Sequence, residues 1–319
     1  MDVKYVATEH AITNLRGKSP RNVRDPYRAR GPGFPSRVHR CRPQNHLDLR
    51  IGFGMPLIQT DVADGSDPEG PPRGIATIAF DHDAKRNALG ADLIAEVLAA
   101  LDDFKAQQAR AVIVRSARNG TVWSAGHDID ELPRAGLDPL PYNDPLEQLL
   151  RMIKRFPAPV IGMVHGSVWG GACDLIMACD LVVGDTTCTF AITPAKLGLP
   201  YNAVGFLNFM SRLPLHVVKE MFYTAEPISA ARAERVGIVN AVVPEADLEA
   251  HTYGLARTIG TRSSQAIAAY KEAFRVLSEA SAMSPNAYEH LHGLRRDVYF
   301  GNDYREGISA FLEKRPARF

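Results

Sequence analysis

The stretch V-H-G-S-V-W-G-G-A-C-D-L-I-M-A-C-D, at residues 164–180, decides the fold of this chain. The apolar run at 159–164 predicts a buried strand, and residues 172–179 are apolar enough for a core helix. Gly170 and Gly171 at the junction let the backbone approach a ligand closely. The first N–H groups of a helix have no intrahelical partner, and the helix dipole favours negative charge there. This turn therefore predicts one half of an oxyanion hole.

A second glycine loop, S-A-G-H-D-I at residues 124–129, follows another apolar strand at 111–115. It can supply a second backbone N–H. Two such donors on one thioester oxygen would stabilise an enolate, and losing one typically costs roughly 3–4 kcal/mol of barrier. Each loop alone is also consistent with an ordinary tight turn of an α/β protein. The two loops together indicate chemistry.

The composition describes a globular protein of 319 residues with 45% hydrophobic and 23% charged residues. One large domain or two small ones fit this length. No apolar run reaches about 18 residues, so no membrane helix is expected. The four cysteines lack zinc spacing and predict buried thiols in a reducing compartment, which favours a cytoplasmic protein; they are Cys41, Cys173, Cys179 and Cys188.

Residues 1–54 differ from the rest, with 11 Lys/Arg against 4 Asp/Glu and many prolines and glycines. This composition predicts a disordered basic extension. It lacks the apolar core of a secretory signal. A mitochondrial transit peptide, a nucleic-acid-binding arm and a tag-like or mis-started translation remain alternatives. We favour a tag-like or mis-started translation and place the start of the folded protein near Met55. Nucleic-acid binding is not expected.

Strands and helices alternate along the first part of the folded chain, and helices alone follow. Strands are predicted at 75–80, 181–183, 189–190 and 238–243, and helices at 91–104 and 145–155. Four helices are then predicted at 245–259, 264–280, 285–300 and 304–313. This order favours an α/β spiral of β-β-α units over residues 55–260, with a helical region over 261–319.

Four motifs resemble the crotonase (enoyl-CoA hydratase/isomerase) superfamily: K-R-N-A-L at 85–89, S-A-G-H-D-I at 124–129, G-S-V-W-G-G-A-C-D at 166–174 and E-G-I-S-A-F-L-E-K-R at 306–315. The resemblance covers about residues 73–319. It implies the crotonase spiral and a C-terminal helical region that builds homotrimers, which pair into hexamers. It also implies an acyl-CoA substrate, with coenzyme A as part of the substrate and no separate cofactor or metal.

The resemblance also implies roles for individual residues. The backbone N–H groups of His127 and Gly171 would form the oxyanion hole, and Tyr201 would face a substrate carboxylate. Residues expected to bind the substrate and its coenzyme A are Lys85, Arg86, Ala88, Ala125, Gly126, Asp128, Ile129, Thr193, Phe311 and Lys314. Two tryptophans next to the oxyanion loops, Trp123 and Trp169, either wall the acyl pocket or pack in the core.

Asp174 occupies the position of the first of two catalytic glutamates in related hydratases, and Ala195 that of the second. Hydration commonly needs paired carboxylates, and the sequence offers only one. Loss of CO₂ from a malonyl-type thioester forms an enolate without a base, so it needs only orientation and a stabilised oxyanion. The similarity of T-P-A-K-L-G-L-P-Y-N at 193–202 to decarboxylating members predicts a lyase that converts methylmalonyl-CoA to propionyl-CoA.

Two rival functions stay open. One is an enoyl-CoA hydratase or isomerase that uses Asp174 alone. The other is a catalytically silent relative that binds coenzyme A or, through the basic residues 1–54, RNA. No P-loop, dinucleotide-binding fingerprint, nucleophile elbow or zinc motif supports a different chemistry.

Overall fold

The computed structural model describes residues 55–63, 74–133, 141–279 and 283–319. The predicted basic extension and Cys41 lie outside these residues. The boundary predicted between residues 260 and 261 also stays a prediction. Within the described residues no helix is both long and apolar enough to cross a membrane.

Two sheets organise the described chain. The strands are β1 (Ile58–Val62), β2 (Ile75–Phe80), β3 (Ala111–Ser116), β4 (Val122–Ser124), β5 (Val160–Val164), β6 (Ser167–Trp169), β7 (Leu181–Asp185), β8 (Thr189–Ala191), β9 (Ile228–Ser229) and β10 (Ala241–Val243). The larger sheet has the order β1-β2-β3-β5-β7-β10, and the smaller has the order β4-β6-β8-β9. Neighbours are parallel except for the pairs β1/β2 and β8/β9.

The helices follow the strands. They are α1 (Ala91–Ala106), α2 (Pro145–Arg155), α3 (Gly171–Ala178), α4 (Ala203–Met210), α5 (Leu215–Thr224), α6 (Ala230–Val236), α7 (Leu248–Gly260), α8 (Ser264–Ser278), α9 (Pro285–Phe300) and α10 (Asn302–Leu312). Short 3₁₀ turns span Asp83–Lys85, Ile129–Glu131, Pro194–Leu197 and Glu245–Asp247.

The spiral arises because successive strands alternate between the two sheets. β3, β5 and β7 each enter the larger sheet, and the strand that follows each of them enters the smaller one. The register places Ile113 opposite Ile161 and Met163 opposite Val183. These strands are buried on both faces, as expected for parallel strands covered by helices. The two glycine loops follow β4 and β6, which are parallel neighbours in the smaller sheet, so the loops leave that sheet side by side.

Several sequence predictions are corrected. A strand, β1, precedes the predicted first strand at 75–80 and pairs antiparallel with it. The predicted strand at 238–243 is confined to Ala241–Val243, and the predicted helix from 245 begins as a 3₁₀ turn. The predicted strand at 189–190 is present as β8, whereas β4, β6, β9 and the helices α4 to α6 carry too few periodic positions to be recognised from the sequence.

Candidate active site

The two glycine loops touch each other. Gly126 has a φ of +83°, and a Cβ at this position would collide with the carbonyl oxygen of Trp169. Gly170 also has a positive φ, of +50°, immediately before α3 begins. Only glycine adopts such a conformation at low cost while leaving room for another backbone. The close approach of the loops therefore depends on these glycines.

The contact between the loops brings two backbone donors together. A Cβ at Gly171 would lie 3.3 Å from the backbone nitrogen of His127. Gly171 is the first residue of α3, so its N–H has no intrahelical acceptor. Among the described residues, no hydrogen bond uses the N–H of His127 either. Two neighbouring N–H groups thus have no hydrogen-bond acceptor among the described residues.

Asn87 ties the K-R-N-A-L turn to this site. Its buried side chain accepts from the N–H of His82 and donates to Ser116 Oγ and to the Trp123 carbonyl, each at 2.9–3.0 Å. Its own carbonyl accepts from Ser124 Oγ at 2.6 Å. Asn87 adopts a left-handed φ of 52°. Its side chain connects residue 82 with the end of β3 and with β4. Asn87 belongs to the K-R-N-A-L motif, but the sequence assigned it no role.

The His127 imidazole is held by an acidic partner. Nδ1 lies 3.0 Å from the Asp128 carbonyl, and Nε2 lies 3.7 Å from Oδ2 of the buried Asp144. Burial alone would lower the pKa of His127, but the Asp144 carboxylate and the Asp128 carbonyl raise it above its ordinary value of 6.5. The same Asp144 caps α2 by accepting from the Leu146 N–H at 2.8 Å. The start of α2 is therefore fixed against the loop at residues 124–129.

A small pocket of about 70 Å³ opens beside the two N–H groups. Seven of the predicted site residues line it: Ala125, His127, Ile129, Gly171, Asp174, Thr193 and Tyr201. Lys85, Arg86, Ala88, Gly126, Asp128, Phe311 and Lys314 are not among its lining residues. The sequence therefore identified one set of residues that the structure brings together and another that lies outside the pocket.

Tyr201 and Asp174 form a hydrogen-bonded pair in this pocket, in which the tyrosine hydroxyl donates to Asp174 Oδ2. Asp174 is 5% exposed, and its Oδ1 has no partner among the described residues. Burial raises the pKa of Asp174 well above its ordinary value of 3.8, and a nearby Glu147 raises it further. The Tyr201 ring packs edge-on against Phe222, with centroids 4.8 Å apart. Its position is therefore set by packing.

Glu147 is a second carboxyl group in the same pocket, so the expectation of a single carboxylate is wrong. It lies on the first turn of α2, is 7% exposed and accepts from Asn202 Nδ2. Burial raises the pKa of Glu147. Ala195 is exposed and does not line the pocket. The second carboxyl group of the pocket, Glu147, thus comes from α2, a helix whose sequence carries no recognisable catalytic motif.

The residues predicted to hold coenzyme A near the K-R-N-A-L turn lie outside the pocket, and their contacts are with the loop at residues 124–130 and within the turn itself. Lys85 is 44% exposed at its side chain and pairs with Asp128 at 2.6 Å and with Asp130 at 3.5 Å. Arg86 is exposed, with a φ of 51°, and its carbonyl accepts from the Ala125 N–H at 2.9 Å. The Ala88 carbonyl accepts from the Gly90 N–H at 3.0 Å.

The C-terminal helix α10 packs on the 3₁₀ turn Pro194–Leu197. A Cβ at Gly307 would collide with the Leu197 carbonyl, and Tyr304 is fully buried where its hydroxyl donates to the Pro133 carbonyl. Phe311 is 51% exposed and Lys314 is exposed with a φ of 55°. Both lie beyond this contact, so their predicted role at the nucleotide stays a prediction.

Trp123 belongs to the core. It is fully buried, donates from Nε1 to the Met163 carbonyl at 2.9 Å and packs against Phe80 with ring centroids 5.4 Å apart. Trp169 is half-buried, and neither tryptophan lines the pocket. Of the two alternatives considered from the sequence, core packing is correct for Trp123.

The fold, the paired glycine loops and the carboxyl-lined pocket define a member of the enoyl-CoA hydratase/isomerase family. A model of that family matches residues 70–319, and the chain belongs to it. The predicted crotonase-type α/β fold is therefore confirmed.

Within the family, the chain is similar to methylmalonyl-CoA decarboxylase of Escherichia coli strain K12, with 47% identity over 77% of this chain and 94% of the relative. Human enoyl-CoA hydratase domain-containing protein 3, mitochondrial, is 32% identical over 76% of this chain and 79% of the relative. A structure of methylmalonyl-CoA decarboxylase in complex with 2-nitronate-propionyl-CoA superposes with a TM-score of 0.78 and 44% identity, covering 82% and 98% of the two chains.

Proposed function

We propose that this chain is a carboxy-lyase that converts methylmalonyl-CoA to propionyl-CoA and CO₂. The similarity to methylmalonyl-CoA decarboxylase supports this reaction. The observation that carries the proposal is the placement of the His127 and Gly171 N–H groups and the Tyr201–Asp174 pair around one pocket. Its volume of about 70 Å³ suits a short acyl group better than a long chain.

The reaction uses the two N–H groups as an oxyanion hole. When the bond between C2 and the carboxylate breaks, its electron pair enters the C1–C2 bond and charge moves to the thioester oxygen. The N–H groups of His127 and Gly171 hold that oxygen, each contributing about 2.7–4 kcal/mol to the lowered barrier. No base is required, because the leaving group is CO₂ and not a proton.

Tyr201 orients the carboxylate through a neutral Asp174. The raised pKa of Asp174 favours its protonated form. A protonated Asp174 can donate to the tyrosine oxygen, which frees the Tyr201 O–H to donate to the substrate carboxylate. Neutral Asp174 also avoids repelling the substrate's negative charge. The pair therefore binds an anionic acyl group in a buried pocket without burying a second uncompensated charge.

Coenzyme A is held, in this proposal, by the residues that the family resemblance assigned. Lys85 and Arg86 meet its phosphates, and the carbonyls of Ala88 and Ala125 accept from the adenine. The loop residues Gly126, Asp128 and Ile129 shape the entrance, Thr193 contacts the acyl end, and Phe311 and Lys314 cover the nucleotide. Coenzyme A is part of the substrate, so the reaction needs no separate cofactor or metal.

Enoyl-CoA hydration is the second candidate, because Asp174 and Glu147 together supply the two carboxyl groups that addition of water commonly needs. Two features make it secondary. Asp174 is already bound to Tyr201, and the sequence similarity to a decarboxylase exceeds that to the hydratase-named relatives.

A homotrimer, or a dimer of trimers, in the cytoplasm completes the proposal. Helix α8 exposes large apolar side chains that a subunit contact would cover, which are Tyr270, Phe274 and Leu277. The three described cysteines are free and buried, as expected in a reducing compartment.

A side-by-side incubation with methylmalonyl-CoA and crotonyl-CoA tests the reaction. We expect mass spectrometry to show loss of one CO₂ from the first substrate and no addition of water to the second. Addition of water to crotonyl-CoA with no CO₂ release would replace the decarboxylase by the hydratase. Conversion of neither substrate would reject both.

A further inference from the structure

We propose that Glu147 is the acid that delivers a proton to C2 of the enolate. This inference rests on the proposed decarboxylation. Loss of CO₂ leaves an enolate that becomes propionyl-CoA only after a C–H bond forms at C2. The electron pair of the enolate takes the proton from the Glu147 carboxyl, the thioester carbonyl is restored, and Glu147 is left as a carboxylate.

The start of α2 positions Glu147 at the reacting atoms. Asp144, at the cap of this helix, lies 3.7 Å from His127 Nε2. Leu146 packs so close to Gly171 that a Cβ there would lie 2.7 Å from Leu146 Cδ2. Glu147 is the next residue and lines the pocket beside both oxyanion donors. The helix that closes the oxyanion loops thus also places a carboxyl group at the enolate.

Glu147 separates two cavities. Together with Tyr201 and Asn202, it lines both the inner pocket and an outer groove of about 560 Å³ between α2 and α9. Tyr142 also lines the outer groove and is 76% exposed, so solvent reaches it. A carboxylate formed at Glu147 can therefore recover its proton from the outer groove while product still fills the inner pocket.

A residue that gives up and regains a proton must be stable both as an acid and as a carboxylate. The surroundings of Glu147 stabilise both forms. Burial favours the protonated acid. The carboxylate is stabilised by the Asn202 amide, by Arg151 at 3.9 Å, by the charge of Arg295 and by its place in the first turn of α2. Asn202 donates to Oε1, so the proton is carried by Oε2, the oxygen that lies 3.9 Å from Arg151.

Asp174 is the less suitable donor. It is buried in the inner pocket, does not line the outer groove, and uses one oxygen in its bond to Tyr201. Loss of its proton would leave a buried anion next to Glu147 that does not border the outer groove. Asp174 therefore orients Tyr201, and Glu147 transfers the proton.

The stereochemistry of deuteration separates these roles. Decarboxylation in D₂O gives propionyl-CoA with one deuterium at C2, whose configuration records the face that received it. Measured on the full-length chain, wild-type enzyme is expected to give a single configuration. Glu147→Gln is expected to release CO₂ but to give both configurations equally, because water then protonates the enolate from either face. Glutamine has the same size and can still accept from Asn202, so the fold should be retained, which thermal melting checks.

Two further variants make the result specific. Glu220→Gln changes an exposed residue of α5 that pairs with Arg232, and it should keep the wild-type configuration. Asp174→Asn should lower the rate and keep one configuration. A single configuration from Glu147→Gln, equal amounts from wild type, or loss of selectivity only in Asp174→Asn would each overturn the proposal. Absence of CO₂ from wild type would instead reject the decarboxylase function itself.

Discussion

Substitution of Gly171 by alanine tests the oxyanion hole. The new methyl group would lie 3.3 Å from the backbone nitrogen of His127 and 2.7 Å from Leu146 Cδ2. Leu146 can turn its side-chain end away, but the methyl stays beside both donors, where the thioester oxygen must bind. Loss of one donor typically lowers kcat by about 10²–10³-fold, or about 2.7–4 kcal/mol. We expect a decrease of this size for Gly171→Ala.

The assay is the initial rate of CO₂ release at saturating methylmalonyl-CoA, corrected for the folded fraction. Crowding of this kind costs about 1–3 kcal/mol of stability, so unfolding by denaturant must be measured in parallel. Gly254→Ala is the matched control, because a Cβ there meets no atom within 4 Å and the site lies inside α7. It should gain about 0.5–1 kcal/mol of stability and keep its activity. A wild-type kcat in folded Gly171→Ala would refute the role of this N–H.

Three more predictions follow from single contacts. Tyr201→Phe should lower kcat/KM for methylmalonyl-CoA by about tenfold to a hundredfold, because a hydrogen bond to a charged group contributes about 1.5–3 kcal/mol; an unchanged value would show that Tyr201 does not bind the carboxylate. Asn87→Ala should lower the free energy of unfolding by about 2–3 kcal/mol through the loss of three hydrogen bonds, two of them buried, and an unchanged free energy of unfolding in urea titration would contradict this. The folded state holds a proton on Asp174 that the unfolded chain releases above pH 3.8, so wild-type stability should fall relative to Asp174→Asn as pH rises from 3.8 towards neutral; parallel pH profiles of unfolding would exclude a raised pKa.

The sequence predicted the parts of the site whose signals are local. A buried strand, two glycines and an apolar helix occur consecutively, so β5, the turn and α3 could be recognised with the donor at Gly171. The loop at 124–129 could also be recognised, because its motif S-A-G-H-D-I is contiguous and follows the apolar strand at 111–115. Each of these features is contained in a few neighbouring residues.

Other features depend on how distant segments fold together. Glu147 is one of several charged residues in α2, and only its burial against Asn202, 55 residues later, makes it distinctive. Asn87 reads as a turn residue until its contacts with Ser116 and Trp123 are known. The three-residue strands β4 and β6 have no measurable period, and the one predicted short strand at 189–190 does not define a sheet, so the smaller sheet could not be predicted.

The most direct test of the account is the fate of methylmalonyl-CoA in D₂O with the full-length protein, with CO₂, free coenzyme A and acyl products measured together. Decarboxylation through an enolate predicts one CO₂ for each propionyl-CoA formed, one deuterium at C2 and an intact thioester. Release of free coenzyme A without CO₂, or propionyl-CoA without deuterium, would contradict an enolate held by His127 and Gly171.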